Sequence, residues 1–290
     1  MRAFINKLDR AFKGNRSALA GLCLTALIIL LALCAPLIAS YDEAVRPNVL
    51  QRFQPPSKDH WFGTDALGRD VFQQLVWGSR TSLIVGLSGA LLSALLGTIV
   101  GVIAGYGGQR ADHVVSFVID LLMSFPLLLL ALLMVAMMGP SLVNIIIAVG
   151  ISGLPRYARL VRALVLQLRS TEYVAAAHSL GAGTMRIIVR HILPNALGPI
   201  LVLLTLGLAS VIIVEASLSF LGLGPPPPAP TWGRLIAEGQ QYLRNAWWIS
   251  VFPGAAILLT VVGLNLFGDG LRDILDPRTK KLTSPEKEGG

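Results

Sequence analysis

Residues 82–104 read SLIVGLSGALLSALLGTIVGVIA, from Ser82 to Ala104, without one charged side chain. A helix rises about 1.5 Å per residue, so this run is long enough to cross the ~30 Å hydrocarbon core of a bilayer. Outward from it lie five further runs, uncharged or nearly so: Ser17 to Ala39, Val114 to Met138, Leu142 to about Leu164, Ala196 to Leu221, and Trp248 to Phe267. The run from Leu142 is the weakest, because Pro155, Arg156, Arg159 and Arg162 follow Leu154. Those arginines recur at helical spacing on one side, which suits a helix end that meets headgroups or another protein. Composition agrees: 290 residues are 54% hydrophobic and 14% charged, against about 25% charged in a soluble domain. The expected fold is all-α, a polytopic membrane protein with about six transmembrane helices in a single domain. Collagen, coiled coil, disorder and a disulfide-rich secreted fold are excluded. The two cysteines, Cys23 and Cys34, lie in one apolar run and read as small apolar residues.

The net charge is +8, and the basic residues cluster at the edges of the apolar runs, so membrane orientation accounts for the excess better than nucleic acid does. Six spans place both termini on one face. That face, with the loops after the second and fourth spans, holds 17 Lys and Arg, and the other face holds 7. Both termini are therefore expected in the cytoplasm. Within residues 1–16, Phe4, Ile5, Leu8 and Phe12 share a helical face, as in a short interfacial helix that lies on membrane lipid. The first run could instead be a cleaved signal peptide, but it is longer than a signal core, which favours a retained anchor. The permease domain is expected to occupy 17–281, with external segments at 40–81 and 222–247 and a short cytoplasmic tail at 282–290. The second external segment opens with Gly224-Pro225-Pro226-Pro227-Pro228-Ala229-Pro230, a polyproline II signal.

The internal segment 156–194 carries the most information. Ser170 or Thr171 can cap a helix with Glu172 in its first turn and alanines after it. Gly181-Ala182-Gly183 breaks that helix. Thr184 can cap a second, on which Met185, Ile188, Val189 and Ile192 form an apolar side, with Pro194 ending it. A simple connector is the alternative, but most loops are about 4 to 6 residues long, so a helix-turn-helix bracket for docking another protein is the better reading.

Glu172-Tyr173-Val174-Ala175-Ala176-Ala177, then Gly181, then Ile192-Leu193-Pro194, resembles the EAA motif of ABC importer permeases. Gly63 to Asp70, Glu215 to Gly224, and Gly268 to Asp273 with Asp276-Pro277 resemble the C-type permease of dipeptide, oligopeptide and nickel importers. The resemblance runs from about Gly14 to Lys281. It implies a bacterial inner-membrane subunit that forms a path with a second homologous permease, above two cytoplasmic ATPase subunits and below an extracytoplasmic solute-binding protein. It also implies that Glu172, Ala175, Ala176, Ala177, Gly181, Ile192, Leu193 and Pro194 meet the ATPase. The glutamate that names the motif is Ala175 here, so its role is absent or falls to Glu172. No phosphate-binding loop and no Gly-Lys pair occurs anywhere in the chain. ATP and Mg would bind on the partner ATPases, no cofactor on this chain, and the chain would catalyse no bond chemistry.

Two acids fall inside spans, Asp120 and Glu215, and a carboxylate there costs about 2.5 kcal/mol or more unless it faces a cavity or a partner group. They could line the path, relay protons in a self-contained secondary transporter, or make structural hydrogen bonds. If both spans cross fully they sit at different depths, which argues against an acid dyad. Repeats and broken helices typical of many secondary transporters are not evident, and a membrane scaffold without cargo is a weaker third reading. His60, His113, His178 and His191 have no ligand spacing. Gly97, Gly101 and Gly105, and likewise Gly86, Ala90 and Ala94, recur at small-xxx-small spacing, the pattern of close helix packing.

Overall fold

A computed structural model describes residues 16–275 as a helical membrane bundle. The interfacial helix expected before Arg16 and the tail beyond Leu275 lie outside the described residues. The long helices are α1 (Arg16–Leu33), α4 (Val71–Tyr106), α7 (Leu142–Arg169), α10 (Leu193–Phe220) and α12 (Trp248–Leu275). Shorter ones are α2 (Ala35–Ile38), α3 (Tyr41–Val45), α5 (Gly108–Met123), α6 (Leu127–Met138), α8 (Glu172–Ser179), α9 (Thr184–Ile187) and α11 (Trp232–Gln240).

α1, α4, α12 and the continuous helical stretch Thr184–Phe220 are each long and apolar enough to cross a membrane. The apolar run 114–138 departs from expectation, for it is not one straight span. α5 and α6 meet at 90° across Ser124-Phe125-Pro126, because proline pushes the residue before it out of helical geometry and cannot donate to the helix ladder. α7 is 28 residues long, about 42 Å by its rise, and its second half carries the arginines. The first apolar run also stops short, at Leu33. Pro36 stands at the start of α2 after the chain kinks at Cys34.

α4 and α7 form the central joint, and the glycine stripe makes it. A methyl group at Gly101 would stand 2.7 Å from both Ala158 O and Val161 Cβ, and one at Gly105 would stand 2.7 Å from Val165 Cβ. The two backbones therefore approach more closely than any larger residue permits. Ser93 Oγ adds an interhelical hydrogen bond of 2.8 Å to Gly150 O. Around this joint Val85, Ala131, Ile145, Val149, Val211 and Leu218 form the main apolar core between α4, α6, α7 and α10. α1 packs chiefly on α12, with a lighter contact to α4.

Candidate coupling site

At one end of the bundle α7 passes through Ser170 and Thr171 into α8. Neither residue caps α8 with its side chain, contrary to the sequence expectation. Ser170 Oγ donates back to Gln167 O (2.9 Å) and Thr171 Oγ1 to Leu168 O (2.6 Å). Both hydroxyls thus satisfy the carbonyls that end α7 instead of the amides that begin α8. α8 closes with a Schellman motif. Gly181 N donates to His178 O (2.9 Å) and Ala182 N to Ala177 O (3.0 Å), with Gly181 at φ +80°. That left-handed conformation is why glycine stands there.

The second arm also differs from expectation. Gly183, not Thr184, takes the capping position of α9, and Pro194 does not end the arm. α9 runs through a π turn, Ile188–Ile192, directly into α10, where Pro194 sits in the first turn. Proline lacks the amide that an α-helix would use there, and the wider i→i+5 turn absorbs the missing bond. The π turn also changes which residues face inward. Ile187 and Ile192, five apart, are fully buried, whereas Met185 is 72% exposed and Val189 is 56% exposed. In five-residue register 187 and 192 lie above one another, so the expected side of Met185, Ile188, Val189 and Ile192 does not form as a unit.

Ile187 and Ile192 pack with Val161 and Val165 of α7, Val174 of α8, and Ala196 and Ile200 of α10. Arg169 Nη1 donates to Gly105 O (3.1 Å), tying the end of α7 to α4. Tyr173 and His191 bring the two arms together, with ring centroids 6.3 Å apart. Of the residues singled out from the sequence, Ile192 anchors the bracket from within, Leu193 and Ala177 are half-buried, and Glu172, Ala175, Ala176, Gly181 and Pro194 are exposed. Glu172, Ala175, Ala176 and Ser179 form one exposed strip at helical spacing, and Leu180 at the tip is 89% exposed. The bracket is therefore a small-residue surface set on a packed base.

The two acids are kept apart. Asp120, on α5, is exposed and pairs with Arg159 Nη2 of α7 at 2.5 Å. The broken geometry of α5 and α6 means that it does not lie within a straight span. Glu215 is wholly buried in α10, where Ser219 Oγ donates to its Oε1 (2.8 Å). Ser82 of α4 faces the same carboxylate without a well-formed hydrogen bond, and both Ser82 Oγ and Glu215 Oε2 are left unpaired among the described residues. Asp120 and Glu215 share no partner.

A second polar centre, to which the sequence assigns no role, sits at the opposite end. Asp65 Oδ1 accepts from the amides of Leu67 and Arg69, and its Oδ2 accepts from Arg69 Nε (2.6 Å) and Gln74 Nε2 (2.8 Å). Arg69 Nη2 reaches Glu238 of α11 at 2.5 Å. Burial opposes the Arg69 charge, but Asp65 and Glu238 outweigh it and its pKa is raised. Arg234 moves the other way: burial lowers its pKa, Glu238 and Glu215 oppose the shift, and Arg69 reinforces it. His60 Nδ1 lies 2.8 Å from Asp70 Oδ2, while Asp70 Oδ1 caps α4 by accepting from Gln73 N. Trp248 Nε1 donates to Thr64 O (3.1 Å), pinning the start of α12 to the same loop. The run Gly63 to Asp70 is thus a structural knot joining the starts of α4 and α12 to the last turn of α11.

Residues 97–281 match the family described as the binding-protein-dependent transport system inner membrane component, and residues 10–56 match the N-terminal TM domain of oligopeptide transport permease C. The chain is 45% identical over 271 residues to the dipeptide transport system permease protein DppC of Alkalihalophilus pseudofirmus, covering 93% of this chain and 89% of that one. It is 44% identical over 270 residues to the oligopeptide transport system permease protein OppC of Bacillus subtilis, covering 93% and 88%. To the di/tripeptide transport system permease protein DppC of Pseudomonas aeruginosa it is 42% identical over 282 residues, covering 93% and 91%. A chain of the MetNI methionine ABC transporter, solved in inward-facing conformations, shares the fold with a TM-score of 0.57 and 21% identity, over 71% of this chain and 97% of that one.

Proposed function

Because the chain belongs to the family of binding-protein-dependent ABC importer permeases, in its peptide-transport C branch, we propose that it is the membrane subunit through which ATPase closure is converted into peptide movement. In this reading it pairs with a second homologous permease to enclose the path. Two ATPase subunits, which hold ATP and Mg, engage the bracket within 156–194, and a solute-binding protein delivers cargo at the opposite face. Both termini then lie in the cytoplasm, with 40–81 and 222–247 outside, and this chain forms and breaks no covalent bonds. Di- and oligopeptides are the cargo, with a nickel chelate as the related alternative.

The observation that carries the reading is the bracket itself. Its inner face is fixed to three long helices through Val174, Ile187 and Ile192, while Glu172, Ala175, Ala176, Leu180 and Gly181 are left exposed. A lever that transmits force needs both properties, a rigid root and an open contact face. A connector needs neither.

The test is uptake by proteoliposomes that contain the permease with its cognate subunits, with binding protein and labelled di- or tripeptide outside and ATP within. Uptake should require ATP and persist when a protonophore collapses the proton gradient. Uptake without ATP that stops with the gradient would replace this reading by proton-driven transport. Competition by a nickel–histidine chelate, but not by peptide, would move the cargo to the alternative.

A further inference from the structure

α1 leans on α12 and touches α4 only lightly, which leaves a crevice of about 290 Å³ between α1, α4, α10 and α12. Ile28, Ala32 and Leu33 of α1 form one wall, and Leu83 and Leu87 of α4 with Ile212 of α10 form the other. It runs from Arg80 toward the middle of the bundle for about 11 Å, the rise between Arg80 and Leu87 along α4. Arg80 is the one charged side chain that lines it.

Arg80 makes no salt bridge with any described carboxylate. Its guanidinium lies over the Trp77 ring at 5.2 Å. Trp77 in turn donates Nε1 to Ala39 O (3.1 Å) and stands edge-on to Tyr41, with centroids 5.0 Å apart. Tryptophan and tyrosine held in this way mark the headgroup level of a membrane protein. A permanent cation at that level, at the mouth of an apolar slot, calls for an anion, and a planar guanidinium matches phosphate oxygens in a two-pronged hydrogen bond. The slot below it offers hydrocarbon surface. Phosphate and alkyl chain occur together in a phospholipid.

We propose that this crevice holds one phospholipid from the adjoining leaflet, with its phosphodiester on Arg80 and one acyl chain between α1 and the rest of the bundle. The seam is where such a lipid would matter. α1 falls in the separately matched stretch 10–56, whereas α10 and α12 fall within 97–281, and the lipid completes packing that the protein leaves open between the two. The inference does not depend on the cargo or on the ATPase contact.

The test uses the full-length permease expressed with its partner subunits and reconstituted in nanodiscs of phosphatidylethanolamine and phosphatidylglycerol. The complex is then extracted in mild detergent and weighed by native mass spectrometry. The wild type should keep one phospholipid per copy of this chain. Arg80→Ala should lower that retention about tenfold, the loss expected for a charged hydrogen bond, and Arg80→Lys should fall between the two. Leu33→Trp, at a position 70% exposed, should displace the lipid with Arg80 intact, and an unchanged elution profile checks that all three variants fold. Equal retention in the wild type, Arg80→Ala and Leu33→Trp would overturn the proposal. So would inorganic phosphate bound without lipid, or a density map in which a helix of the second permease fills the crevice.

Discussion

Gly181 separates backbone strain from partner contact, and the structure supplies the numbers. Its φ is +80°, and nothing stands within 4 Å of where a Cβ would be. Within this chain, then, alanine and leucine at 181 meet no neighbour. Both suffer the same penalty, about 1–2 kcal/mol for holding an L side chain in the left-handed region. Asparagine, which tolerates that region, should suffer less. Thermal stability of the purified permease should therefore fall by similar amounts in Gly181→Ala and Gly181→Leu, and least in Gly181→Asn. ATPase retention should follow another order if the bracket sits in a cleft. Leucine adds volume at the contact, so Gly181→Leu should lose co-purifying ATPase and peptide uptake at least about tenfold beyond Gly181→Ala, which corresponds to about 1.4 kcal/mol of contact. The assay is paired: uptake in proteoliposomes, and ATPase recovered on the tagged permease, for all three variants. Full uptake by Gly181→Leu would reduce the bracket to a connector. Equal losses in Gly181→Ala and Gly181→Leu would mean that the loop's conformation matters and its contact surface does not.

Four further outcomes are expected. Arg69→Ala removes the cation from buried Asp65 and should destabilise the chain by about 3–5 kcal/mol, whereas Glu238→Gln, at a side chain 39% exposed, should be far milder; fluorescence-detected thermal melts of the solubilised protein compare them. Glu215→Gln keeps the Ser219 hydrogen bond and can donate to Ser82, so stability should stay within about 1 kcal/mol of wild type, while Glu215→Ala should lose about 2 kcal/mol or more to a cavity and orphaned hydroxyls; a Glu215→Gln complex that assembles fully yet fails to transport would instead put the charge on the path. Ala175→Glu should leave uptake close to wild type because it restores the carboxylate that the EAA motif carries at this position, and Ala176→Arg should impair it by adding bulk and an unpaired charge to the contact; the reverse order in uptake would refute the assigned face. Leu50→Cys, at a position 96% exposed, should react with an impermeant maleimide added to whole cells, and reaction only after the cytoplasm is opened would invert the topology.

Local pattern carried most of the fold into view. The stripe Gly97, Gly101 and Gly105 is readable because small residues four apart on an apolar helix have one common use, and the α4–α7 joint is that use. The break between α5 and α6 escaped the sequence reading, in which no broken helix is evident: Pro126 stands at it, but leucines on both sides of the proline keep the run apolar throughout. Hydropathy alone cannot tell a straight crossing from a bent one. The buried side of the bracket was not readable by helical periodicity, because periodicity assumes 3.6 residues per turn. One π turn at Ile188–Ile192 brings 187 and 192 into line and turns Met185 and Val189 outward.

Partners distant in sequence account for what remained hidden. Arg69 and Glu238 are 169 residues apart, on segments joined only because α4, α11 and α12 begin at the same end of the bundle. No spacing rule reaches across that distance. Glu215 shows the same limit in a sharper form. From sequence alone an acid in an apolar run has a cavity and a neighbouring helix as equal candidates, since the cost of burying it must be offset by whichever is present. In the fold, Ser219 one turn along α10 donates to Glu215, and Ser82 of α4 stands against the same carboxylate. A carboxylate that is wholly buried within the chain, with Ser219 and Ser82 against it, is poorly placed to touch passing cargo. Its hydrogen bond to Ser219 stays within α10, at the end where Arg234 and Glu238 continue the polar contacts toward Arg69. On this argument the end of the bundle opposite the bracket moves as one piece, and in the proposed reading the mobile contact falls elsewhere, between this chain and a second permease.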